Sequence, residues 1–116
     1  MAIKAPTPPT ELRKSGRALW RDVLERYELD RHELTILREA CRTADALDGL
    51  QALLEIEGLM GETSQGPRVH PALVEARQQR VVFARLLVAL RIPAGEQDDG
   101  RTTQTRGVRG VYGIVS

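Results

Sequence analysis

Three small groups of residues have types and spacings that could do chemistry. His32 stands between Asp30 and Glu33, a grouping with the makings of an acid/base pair or part of a metal site. The same residues are what a helix start requires: an acceptor side chain and a Glu three residues later satisfy the first free backbone N–H groups. Capping is the role this spacing favours. His70 precedes Pro71, which places it at a helix entry as a cap or loop contact rather than as a base. Cys41 recurs in step with leucines and behaves as a small hydrophobe. The run Gly58-Leu59-Met60-Gly61 ends a helix instead of opening one, and no Lys follows it, so it is no phosphate loop. One Cys and two His exclude a disulfide framework and the usual four-ligand zinc site. No catalytic residue, metal ligand or cofactor is assigned, and an enzyme is not expected.

What remains is basic charge. Arg17 and Arg21 are four apart and share one helix face, Arg13 and Lys14 sit just ahead of it, and Lys4 lies on the leading arm. Together they form a cationic edge that could meet the phosphates of DNA, a contact that is salt-sensitive and blind to sequence. Because Arg outnumbers Lys fifteen to two, a merely solvated face would look the same. The net charge of +1 hides a pattern of +3 over 1–27, −6 over 28–62, +4 over 63–93 and zero over 94–116. A basic helix beside an acidic one would set partner choice and register in an antiparallel pair.

The elements that must position these groups follow from composition and period. With 116 residues there is room for one domain, and neither a dinucleotide fold nor a second catalytic domain fits. Hydrophobic residues make up 41% but aromatics only 3%, so aliphatics build the core and the expected class is all-α. Pro6, Pro8 and Pro9 keep the first residues out of a helix, giving a flexible basic arm over 1–14. A helical core domain over 15–93 then holds a short helix at 16–27, capped by Ser15, and two long helices at 31–57 and 71–91. The first buries Leu19, Trp20, Val23, Leu24 and Tyr27; the second buries Leu34, Leu37, Cys41, Ala44, Leu47, Leu50 and Leu54. A loop or small hairpin joins the long helices, which should lie antiparallel. Residues 1–10 lack the apolar region of a signal peptide and no stretch approaches a membrane span of about 18 apolar residues, so a soluble, intracellular protein with no membrane partner is expected.

The third helix carries apolar residues on two faces. Leu73, Ala76, Phe83, Leu86, Leu87 and Leu90 share a broad one, while Val74, Val81 and Val88 form a heptad-spaced line almost opposite. An antiparallel partner covers only one of them. Either the helix is fully buried in a three-helix bundle, or the valine line is an oligomer interface between copies of the chain. The tail over 94–116 is rich in Gly and polar residues and cannot order itself alone. Within it Val108, Val111, Tyr112 and Ile114 form a strand-like segment suited to docking on a partner; an inert tail is the alternative.

The ordered landmarks Gly16-Arg17-Ala18-Leu19-Trp20, Tyr27-Glu28-Leu29-Asp30, Leu37-Arg38-Glu39-Ala40-Cys41, Glu57-Gly58 and Val69-His70-Pro71-Ala72-Leu73 resemble the small terminase subunit of tailed bacteriophages. The resemblance spans about residues 12–92. It implies a non-catalytic factor of viral genome packaging, active in the cytoplasm of the bacterial host. Such a factor assembles as a homo-oligomeric ring, recognises double-stranded viral DNA, and recruits or regulates the terminase large subunit, which holds the ATPase and nuclease. Two other classes fit the residues: a small helical DNA-binding transcriptional regulator acting as a dimer, and an oligomeric structural adaptor that binds no nucleic acid.

Overall fold

Two reciprocal hydrogen bonds open the longest element. The Glu33 carboxylate accepts from the Asp30 backbone N–H at 2.8 Å while the Asp30 side chain takes the N–H three residues on, and the helix runs from there to Glu57. Gly58 stops it by adopting φ +82°, a left-handed setting that a side chain resists. In the computed structural model, which describes residues 5–91, the order is α1 (Lys14–Arg26), α2 (Arg31–Glu57), β1 (Met60–Thr63), β2 (Gly66–Val69) and α3 (Pro71–Ala89). The fold is mostly helical with one small two-stranded sheet. Lys4 and the strand-like segment with Val108, Val111, Tyr112 and Ile114 lie outside the described residues.

The connection between the long helices is an antiparallel hairpin in which Met60 pairs with Val69 and Thr63 with Gly66. Gly66 at φ +108° and the Thr63 hydroxyl, which donates to the Gly66 carbonyl at 2.7 Å and accepts from the Gln65 N–H at 3.1 Å, close its tight turn. At the base of the hairpin the imidazole of His70 bridges the two long helices. Its Nδ1 accepts from the Ala72 N–H at 2.9 Å, capping α3, and its Nε2 lies 2.5 Å from the Glu57 carboxylate at the end of α2. The antiparallel course of α2 and α3 follows from counting: Leu37 lies twenty residues before Glu57 and Leu90 twenty after His70, and both are fully buried in one cluster.

That cluster joins Leu12, Trp20, Val23, Leu24, Leu37, Cys41 and Leu90, so three helices and the arm meet at the end far from the hairpin. Nearer the hairpin the contact is two-helix only, with Leu54 of α2 buried and the small Ala72 and Ala76 letting α3 approach it. The central element is therefore α2, with α1 and α3 each packed on it. Among the described residues no helix is long and apolar enough to cross a membrane.

Residues 5–13, expected as part of a free arm, are instead packed onto the helices. Leu12 is buried in the core, the Trp20 indole N–H donates to the Pro6 carbonyl at 3.0 Å, and Glu11 takes hydrogen bonds from Arg38 at 2.9 Å and Arg42 at 2.8 Å. A single buried Leu and a backbone acceptor leave no periodic trace in sequence, which explains the difference. The first helix also starts at Lys14 and ends at Arg26 rather than spanning 16–27, and α3 ends at Ala89 rather than at 91.

Candidate nucleic-acid interface

The start of α1 explains where its cations stand. Arg13 is the N-cap residue and its side chain makes no capping bond. The missing acceptors come from α2: the Asp45 carboxylate accepts from the Arg13 N–H at 2.6 Å and from the Gly16 N–H at 2.7 Å. Ser15, expected as the cap, lies inside the helix and its hydroxyl donates to Asp48. This arrangement requires a glycine, because a Cβ on residue 16 would lie 2.8 Å from the Cys41 carbonyl oxygen and overlap the Asp45 carboxylate. Two acidic side chains of α2 thus sit where the positive end of the α1 dipole is concentrated.

With its N-terminus held this way, α1 turns Trp20, Val23 and Leu24 inward and leaves Arg13, Lys14, Arg17 and Arg21 exposed. Lys14, Arg17 and Arg21 recur at three and four, which sets them about 5–6 Å apart at Cβ along one face. Among the described residues none of the four side chains takes part in an ion pair, although Glu25 lies one turn beyond Arg21. The contrast with α2 is direct. There Arg38 and Arg42 are clasped by Glu11, and Arg42 also by Glu39 at 2.6 Å. The hydrogen bond from Arg38, reinforced by Arg42, lowers the Glu11 carboxyl from 4.5 to about 2, and Glu11 in turn raises Arg42. Arg38 and Arg42 of α2 are thus satisfied within the chain, whereas Arg31 at the start of that helix and the cations of α1 face solvent.

The valine line lies in the open. Val74, Val81 and Val88 are 46%, 50% and 74% exposed, which removes the fully buried alternative for the third helix. A second set of apolar side chains is exposed toward the hairpin end, where Ile56 is 82% exposed and Leu53, Leu59, Met60 and Val69 are also uncovered. Nothing in the sequence marks Leu53 and Ile56 as exposed, because they sit in a helix that is apolar on several sides. The expected pairing of an acidic helix with a basic one is not made by ion pairs. Apart from Glu57 with His70, no described acidic side chain of α2 bridges to α3, and the Asp45 and Asp48 carboxylates are turned to α1.

The remaining candidates are structural. His32 is exposed beside the capping box, and Cys41 is fully buried, its thiol pushed up to about 12 chiefly by burial and secondarily by the charge of Asp45. Among the described residues no group of three or more His, Cys, Asp or Glu side chains is placed to hold a metal ion. No family model, curated protein or solved structure matches this chain.

Proposed function

We propose that this chain is a small terminase subunit of a tailed bacteriophage: a non-catalytic, ring-forming packaging factor that binds double-stranded viral DNA and brings it to the large subunit in the cytoplasm of the host bacterium. The landmarks in the sequence motivate the family. The observation that carries the DNA-binding part is the set of exposed cations at the head of α1, left without carboxylate partners among the described residues while Arg38 and Arg42 of α2 are neutralised inside the chain. Guanidinium groups present planar forks that match phosphate oxygens, and such contacts fix the position of a duplex without reading its bases. The exposed valine line supports self-association, since among the described residues nothing covers this apolar row at heptad spacing.

The test is DNA binding as a function of salt. Each phosphate contact contributes about −0.9 to the slope of log affinity against log salt on duplex DNA, so Arg17→Glu with Arg21→Glu should flatten that slope by about 2 and weaken binding at every salt concentration. A double variant that keeps the wild-type affinity and slope removes α1 from the interface. Absence of any salt-dependent affinity in the wild-type chain refutes the DNA-binding role and leaves the adaptor reading.

A further inference from the structure

We propose that the valine ridge of α3 in one copy seats on the outer face of the C-terminal half of α2 in a second copy, so that subunits join head to tail. This deepens the ring-forming part of the reading above and rests on it. The two surfaces differ in shape. At 100° per residue, Val74, Val81 and Val88 lie about 170° around α3 from Ala72, Ala76 and Leu90, the side that packs on α2. On the C-terminal half of α2, Ala46, Gly49, Leu53 and Ile56 fall within an arc of about 80°, centred about 120° from the buried Leu54 that faces α3. Both faces are uncovered among the described residues, and neither is the face by which α2 and α3 pack on each other. A contact between two unlike surfaces repeats from copy to copy, and it makes a ring when the rotation closes.

The fit is complementary in relief. Among the described residues a Cβ on Gly49 would find no atom within 4 Å, in contrast to Gly16, so none of them calls for a glycine there. A mid-helix glycine costs about 1 kcal/mol relative to alanine. Beside Ala46 it leaves a shallow place in the helix surface, with Leu53 and Ile56 standing proud beyond it, and a ridge of β-branched valines matches that depression.

Charge selects the pairing. Arg77 and Arg85 flank the valines on either side, Arg80 lies farther round, Glu75 is the one acidic residue of α3, and none of the three arginines takes part in a described ion pair. Two copies of α3 face to face would bring those arginines together. Residues 43–57 of α2 carry no cation; Asp45 and Asp48 are turned to α1 and Glu57 also meets His70, but Glu55 and Glu57 stay exposed toward the hairpin end, so the basic ridge is drawn to this half-helix of another copy and repelled by its own kind.

Cysteine cross-linking in the full chain tests this. Val81 and Leu53 are exposed, so Val81→Cys and Leu53→Cys leave the fold intact, and the native Cys41 is buried and serves as the silent control. With a short bismaleimide the double variant should give a ladder of covalent multimers, while each single variant and the wild type give none. Dimers from Val81→Cys alone would overturn the proposal in favour of α3 against α3. No product from the double variant, with a multimeric mass by light scattering, would overturn this interface while the ring-forming reading stands. No product and a monomeric mass at micromolar concentration would sink both.

Discussion

Replacing Asp45 by Ala should unfold this protein far more readily than its half-exposed position suggests. Its carboxylate is the acceptor for two backbone N–H groups at the head of α1, at 2.6 Å and 2.7 Å, and one of them belongs to the buried Gly16. A hydrogen bond to a charged group contributes about 1.5–3 kcal/mol, and loss of a helix cap by itself costs about 0.5–2 kcal/mol. Water can replace the acceptor at the exposed Arg13 but reaches Gly16 poorly, so the expected loss is about 2–3 kcal/mol, or about 10–20 °C in melting temperature for a domain of this size. Urea and thermal unfolding followed by helical circular dichroism would measure it, at matched protein concentration because self-association shifts the apparent stability. Asp48→Ala is the built-in comparison: it removes an exposed side-chain bond from Ser15 and should cost about 0.5–1 kcal/mol. Asp45→Asn, which keeps one acceptor oxygen, should fall between them. If Asp45→Ala and Asp48→Ala cost the same within about 0.5 kcal/mol, the account of α1 as a helix capped from its neighbour is wrong.

Two further outcomes follow from the same region. Gly16→Ala gains about 1 kcal/mol of helix propensity but forces a methyl group against the Cys41 carbonyl and the Asp45 carboxylate, so a net loss of about 1–3 kcal/mol is expected; a variant as stable as wild type in urea would contradict the crowding. Glu11 is held near 2 by the hydrogen bond from Arg38 first, then by a backbone hydrogen bond and by Arg42, against 4.5 when free, so its contribution is present above pH 4.5 and is lost as pH falls from 4.5 towards 2. Glu11→Gln should therefore be less stable than wild type at pH 7, with the gap in unfolding midpoint closing across that window, and a gap that stays constant with pH would show that the ion pairs do not stabilise the fold.

Much of the frame could be seen in the chain because its signals are local. The capping box at Asp30 and Glu33, the glycine stop at Gly58 and the proline start at Pro71 each lie within a few residues of the boundary they set, and α2 spans 31–57 as expected. The valine row was visible for the same reason, since a spacing of seven needs no knowledge of the fold. The head of α1 was not. Its acceptors come from residues 29 to 33 positions away, so Ser15 offered a false local solution. Arm docking hinges on Leu12, Glu11 and a proline carbonyl, none of which forms a pattern. The α2 outer face escaped notice because Leu53 and Ile56 adjoin the inward Leu50 and Leu54, and only burial in three dimensions separates the two sets.

Residues 5–13 hang on the single indole of the protein by way of the Pro6 carbonyl. Trp20 is therefore an intrinsic optical gauge for that segment: peeling it away wets the ring and frees its N–H, which shifts emission to longer wavelength. Anything that lifts the leading segment off the helices, whether a bound duplex, a neighbouring subunit or acid strong enough to protonate Glu11, announces itself in a cuvette without a dye.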